Sequence, residues 1–196
     1  IYGLAVDPDA YLVSDGDKIY YAVQVYVNFP VHSGFSASSY LRFFAVVLVN
    51  VKDGSVQGHV VGEPDEDDPL LGFYRGYYPS WGPVPSWLLP QMRYPEALLG
   101  LHNAPGQLDV DFHFHVDDPI TWRSQSQFYE RPPATEVLYI LMASENETHF
   151  VGIQLVEVQG SQGRNLAGFY LSYGGPHLGR IDLYQVPTNV TLKWIG

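Results

Sequence analysis

Two histidines and an aspartate alternate along His113-Phe114-His115-Val116-Asp117. In an extended strand successive side chains point to opposite faces, so His113, His115 and Asp117 share one face and Phe114 and Val116 the other. Two imidazoles and a carboxylate form a metal-ligand set with a position left open for water, the arrangement that turns water into a nucleophile. The plainer role of such a face is hydrogen bonding at a half-buried sheet surface, and the spaced zinc signatures are missing.

Carboxylates gather at three further points. Asp7 and Asp9 flank Pro8, Asp15 and Asp17 flank Gly16, and Glu63-Pro64-Asp65-Glu66-Asp67-Asp68 is almost wholly acidic. Calcium is the alternative ligand there, held by carboxylate and backbone oxygens, although none of the three follows the twelve-residue calcium loop. A solvated acidic surface is the simpler account, and no cofactor is expected. Nucleophile signatures are lacking: Gly34-Phe35-Ser36-Ala37-Ser38 has no second glycine for a hydrolase elbow, and neither a phosphate loop nor a dinucleotide fingerprint occurs. Nothing in the residues supports an enzyme. Tyr77, Tyr78, Trp81 and Trp87, with Tyr74, make a candidate aromatic platform for a sugar or a protein, with core packing as the competing use.

The elements that must position these groups are read from periodicity. Residues 18–27, dense in β-branched and aromatic types and preceded by Ser14-Asp15-Gly16-Asp17, predict a long strand. Residues 40–51 and 56–61 predict a hairpin about Lys52-Asp53-Gly54-Ser55, with the apolar run 43–49 as a central strand covered on both faces. Asp68-Pro69 is an N-cap with proline at the first helical position, and Leu70, Phe73, Tyr74 and Tyr77 form a stripe to lie on the sheet. Residues 78–90, rich in proline and tryptophan, are expected to wrap the core as an ordered loop.

A second helix is expected from Pro95-Glu96 to Asn103, a strand over 110–116, and a third helix from Asp118-Pro119 to about Phe128. Residues 137–142 and 149–158 predict a second hairpin. Leu166, Phe169, Tyr170 and Tyr173 fall at helical spacing before Gly174-Gly175, so 164–173 reads as a fourth helix with a glycine C-cap. Strands over 180–186 and 190–195 finish the chain. The expected class is α+β, a mostly antiparallel sheet with several short helices packed on it. One domain over 1–196 is expected, with residues 63–90 as the place where a meander (1–62) would divide from a mixed part (91–196).

Composition bounds the partners. The 196 residues are 46% hydrophobic and 16% charged, enough for one sizeable core or two small ones. A net charge of -11 repels phosphate backbones, so nucleic acid is not an expected partner. The chain has no cysteine, which removes disulfides and thiolate chemistry. No apolar run approaches the ~20 residues of a membrane-spanning helix. The sequence starts at Ile1 without a signal-peptide pattern, as expected for a piece of something larger, whether its boundary is natural or artificial. Asn146-Glu147-Thr148 and Asn189-Val190-Thr191 are acceptor sequons, so Asn146 and Asn189 are candidate N-glycosylation sites.

Taken in order, Arg93-Tyr94-Pro95-Glu96, His115-Val116 with Asp118-Pro119, and Phe128-Tyr129-Glu130-Arg131-Pro132 resemble successive landmarks of uncharacterised protein family 0182 of the UPF series. The flanks agree: Asp15-Gly16-Asp17-Lys18-Ile19-Tyr20-Tyr21, the Asp-Gly hairpin at 51–55, Asp68-Pro69, and the closing strand over 179–187. Ala97-Leu98-Leu99 and Ser124-Gln125-Ser126-Gln127 depart from the family's more charged pattern.

The resemblance implies a setting rather than a reaction. Family members look like multi-pass membrane proteins with a large domain outside the cytoplasmic membrane, and this chain would be the later part of that domain. Contact with the membrane would then run only through a segment absent from this chain. An extracytoplasmic, cell-surface location is implied, or secretion after cleavage from a membrane-anchored precursor. The function expected is a non-catalytic structural or interaction module that meets protein partners or copies of itself, filaments included. The alternatives are a ligand- or glycan-binding module and a metal-dependent enzyme built on His113, His115 and Asp117.

Overall fold

A computed structural model describes residues 3–33, 36–62, 69–99, 129–130, 136–143, 147–158, 165–187, 190 and 192–193. The chain divides into two compact units, Ile1–Gln91 and Met92–Gly196.

The first unit is built on two long strands. Apolar, β-branched and aromatic residues run almost unbroken through β3 (Ile19–Ser33) and β4 (Ser36–Asn50), which pair antiparallel from Tyr20↔Asn50 to Ser33↔Ser36. β1 (Leu4–Val6) and β2 (Tyr11–Ser14) pair with β3, and β5 (Val56–Val60) pairs with β4, so β4 is a central strand. Both turns carry the chemistry their residues promise. Gly16 and Gly54 take positive φ (101° and 71°), and Asp15 Oδ1 and Asp53 Oδ1 accept backbone N–H groups inside their own turns. At one point the register shifts: Val25 opposes Ala45 while Tyr26 opposes Phe43, leaving Phe44 as the extra residue of a bulge. Phe44 and its neighbour Ala45 are consequently both fully buried in the same cluster, which strict alternation forbids.

One face of this sheet carries the buried residues Tyr11, Val13, Tyr20, Ala22, Gln24, Val46, Leu48 and Asn50. Trp87 stacks on Tyr20 there, with ring centroids 5.8 Å apart. Gln91 ties the same loop to β2: its amide donates to the Ser14 carbonyl and accepts the Ser14 N–H, imitating a strand neighbour. Against the opposite face, α1 (Pro69–Tyr77) buries Leu71 and Tyr74 over Val25, Val27, Ala45 and Val60, with Tyr78 and Trp81 packed beside them. The helix is where Asp68-Pro69 foretold it, but its rotation differs. Phe73 and Tyr77, assigned to the inner stripe, are exposed, and Leu71, Tyr74 and Tyr78 at i, i+3 and i+7 face inward instead. Arg75 donates to the carbonyls of Val61 and Gly62, which holds that rotation. β6 (Gly82–Pro83) adds a short parallel edge to β5, where proline costs no ladder donor.

The second unit opens on α2 (Glu96–Leu99), a single turn, and contains a second sheet. β7 (Tyr129–Glu130) and β8 (Leu138–Ala143) pair with β9 (Thr148–Val158), which pairs in turn with β10 (Asn165–Tyr173). β11 (Ile181–Gln185) and β12 (Leu192–Lys193) pair with β10. The expected hairpin of 137–142 with 149–158 is therefore formed by β8 and β9.

β10 is a correction. Its residues were assigned to a helix on the spacing of Leu166, Phe169, Tyr170 and Tyr173, yet they form a strand bonded on both sides. Burial alternates along it, with Gly168, Tyr170 and Ser172 buried and Leu166, Ala167, Phe169 and Leu171 less so. Its aromatic, leucine-rich composition suits either period, and two waiting strands decide between them. Gly174 is not a helix C-cap: with φ -94° it stands at the N-cap of the 3-10 turn Gly175–His177, and a Cβ there would strike the Met92 carbonyl. The expectation of several short helices is not borne out among the described residues, which hold α1, the four residues of α2 and two 3-10 turns, Leu89–Gln91 and Gly175–His177. The third expected helix, 119–128, lies outside the described residues. The observed class is a β-rich α+β protein with two mostly antiparallel sheets.

Candidate functional site

The structure separates the candidate residues. His113, His115 and Asp117 lie outside the described residues, as do the sequon asparagines Asn146 and Asn189 and the acidic run 63–68. Asp7 is buried and accepts the Asp9 N–H through Oδ1, a turn-closing bond. Asp15 is also absorbed by its turn, accepting the N–H groups of Asp17 and Lys18 on Oδ1 and the Tyr20 hydroxyl on Oδ2. The backbone N–H of Lys18, then that of Asp17, hold its carboxyl below the usual aspartate range. Burial, then the bond to Asp15, pushes the Tyr20 hydroxyl up. Among the described residues no three His, Asp or Glu side chains are grouped to hold a metal ion.

The aromatic candidates fall into three places. Trp87 faces Tyr20. Tyr77 pairs edge-to-face with Phe73, ring centroids 5.0 Å apart, both exposed on the outer side of α1. Tyr78 and Trp81 stack at 4.2 Å beside Phe44. The Trp81 indole also covers Gly58, where a Cβ would collide with the ring. With Tyr78 on the ring and Gly58 beneath it, Trp81 has little face left for a sugar. Beside it opens a cleft of about 430 Å³ lined by Val60, Gly62, Arg75, Pro79 and Pro83 as well as the two rings.

A polar corner in the second unit was not foreseen. Glu147 accepts from His177 Nε2 at 3.1 Å, and the His177 ring meets that of buried His149 edge-to-face at 5.6 Å. Nearby, Arg180 forms two hydrogen bonds to Asp182 and lies 4.9 Å over the Tyr173 ring. Burial, with hydrogen bonds to Asp182 and Tyr184, raises the Tyr173 hydroxyl to about 12. The charges here are paired with one another, so the corner is organised for structure.

The Arg93-Tyr94-Pro95-Glu96 landmark is a packing device. The Arg93 guanidinium sits over the rings of Tyr139 (5.1 Å) and Phe150 (4.8 Å), Tyr94 is buried, and the Tyr139 hydroxyl donates to the Tyr94 carbonyl. These contacts seat the segment against one face of β8 and β9.

β8 itself is the surface that sequence reasoning did not single out. Leu138 is 61% exposed, Ile140 36%, Leu141 59% and Met142 43%, so apolar side chains of both faces meet solvent. Leu-Tyr-Ile-Leu-Met-Ala reads locally as a buried central strand, whereas among the described residues the structure pairs it with β9 alone. The available signal was its lack of charge between Glu136 and Glu145.

Comparison with known proteins agrees with the residues. The chain is 25% identical over 203 residues to a UPF0182 protein of Clostridium acetobutylicum, covering 96% of this chain and 22% of the relative. It is 24% identical over 206 residues to one of Moorella thermoacetica, covering 95% and 22%. A UPF0182 protein of Desulfitobacterium hafniense is 25% identical over 209 residues, covering 95% and 21%. The chain thus spans about a fifth of the length of the curated relatives it matches. No solved structure matches. The family model for UPF0182, described as an uncharacterised protein family, matches residues 4–193, and the chain belongs to that family.

Proposed function

We propose that the chain is a non-catalytic interaction module, one part of a longer protein, that meets protein partners through its sheet surfaces. The observation that carries this reading is β8: an apolar strand exposed on both faces and paired only with β9 among the described residues. Soluble folds blunt such edges unless another chain is meant to use them. Hydrogen exchange tests it. Every second amide of Leu138–Ala143 is bonded to β9; the alternate amides, which point away from β9, exchange quickly in the isolated chain and slowly in the full-length protein in its native assembly. Equally fast exchange in both ends the interaction reading.

An extracytoplasmic setting belongs to the same proposal, supported by the family resemblance and the two sequons. The chain has no cysteine, so a Ser86→Cys substitution in the full-length protein gives one thiol in this region, at an exposed site. A membrane-impermeant maleimide labels it in intact cells if the setting is right and only after lysis if it is wrong.

The cleft beside Arg75, Tyr78 and Trp81 favours a second reading as a small-ligand site. Titration with a saccharide panel while following tryptophan fluorescence decides it. A saturable change supports the site; no change across the panel removes the glycan version.

A further inference from the structure

β8 hydrogen-bonds to β9 from Leu138↔Ile153 to Ala143↔Thr148 without a register shift. Its other edge has no strand partner among the described residues. Free edges are ordinarily protected by a charged side chain, a proline or a bulge. Leu-Tyr-Ile-Leu-Met-Ala has no charge and no proline, and its ladder is regular. Leu138, Ile140 and Met142 are exposed on one face and Leu141 on the other.

We infer, resting on the interaction reading above, that β8 is completed by an extended apolar strand of a partner protein, carrying lysine or arginine at its ends. The backbone edge and the alternating side chains supply the affinity of strand addition. The ends supply the choice of partner. Exposed Glu136 precedes the strand, and Glu145 and exposed Glu147 follow it, Glu147 also holding His177. A second copy of the chain is a poor occupant. Antiparallel pairing of β8 with itself brings Glu136 of each copy to the Glu147 end of the other, and parallel pairing also matches acid with acid. The net charge of -11 adds to the repulsion. A strand with basic ends meets complementary charge at both ends instead.

The test uses two synthetic peptides with one alternating valine-threonine core, one with lysines at both ends and the other with glutamates. Each is titrated into the 196-residue chain, and exchange of the Leu138–Ala143 amides that point away from β9 is followed. The lysine-ended peptide is expected to slow that exchange and to bind about tenfold more tightly than the other at low salt. The gap should narrow to within about threefold in ~0.5 M salt. Ile140→Lys abolishes the protection; Leu138→Lys serves the same purpose if the first variant does not keep the parent's thermal midpoint. Glu136→Lys shrinks the preference for lysine ends. Equal binding of both peptides overturns the basic-ended partner. Protection of the outward-pointing amides in the free monomer, or a dimer by sedimentation that buries β8, overturns the partner strand. If neither peptide protects β8 but the full-length assembly does, the strand proposal falls while the interaction reading stands. If β8 exchanges quickly in both settings, both fall.

Discussion

The Trp81 indole lies directly on Gly58, and the missing side chain at Gly58 is what admits it. The ring cannot retreat, because Tyr78 stacks on it at 4.2 Å and Phe44 stands 6.0 Å away.

Gly58→Ala should therefore destabilise the first unit by roughly 1–3 kcal/mol, the usual cost of overfilling a packed site. Denaturant unfolding followed by tryptophan fluorescence checks it. An unchanged midpoint would mean that the indole moves aside freely.

Gly168→Ala distinguishes the two readings of β10 by the sign of its effect. In a helix interior the change would stabilise by up to about 1 kcal/mol. In the observed strand the new methyl group meets the Tyr184 carbonyl across the β10–β11 ladder, so stability must fall. A raised thermal midpoint would contradict the strand.

Alkaline titration should find Tyr173 among the last tyrosines to ionise, its hydroxyl raised to about 12 from an ordinary 10. The unfolded chain releases that proton at lower pH than the native one. The contribution is thus whole below pH 10 and declines as pH rises from 10 towards 12. Tyr173→Phe should flatten this part of the stability profile; a profile identical to the parent's would count against the assignment.

At the acid end Asp15 works in the opposite sense. Its carboxyl titrates below the ordinary aspartate value, so its stabilisation is present above that value and lost as pH falls through the folded pKa. Asp15→Asn keeps the shape of the turn but weakens the charge-assisted bonds from Lys18 and Asp17. A lower thermal midpoint at neutral pH and a shallower acid limb are expected; an acid limb as steep as the parent's would refute the role.

Much of the first unit was legible locally. The glycine turns at Gly16 and Gly54, the central run 43–49 and the helix start at Pro69 each rest on residues whose preferences agree with the fold. The rotation of α1 was not legible, since Leu70, Leu71, Phe73, Tyr74 and Tyr77 offer more than one apolar stripe. Arg75, itself in the helix, selects among them by donating to the Val61 and Gly62 carbonyls outside it. The candidate site was read less well. The aromatic residues near 74–87 look like one cluster along the chain, yet Trp87 serves Tyr20 while Trp81 serves Gly58 and Tyr78.

By itself the sequence determined family membership, a β-rich α+β composition, the positions of turns, and a net charge of -11. These follow from residue types acting on near neighbours or on average charge. Tertiary structure alone decided that β10 is a strand, that Gly174 makes room for the Met92 carbonyl, and that β8 has β9 as its one strand neighbour among the described residues. Each of those outcomes depends on residues distant in the chain. A six-residue apolar run is the same sequence whether one neighbour or two lies beside it, and only the number of neighbours makes it a buried strand or an open edge.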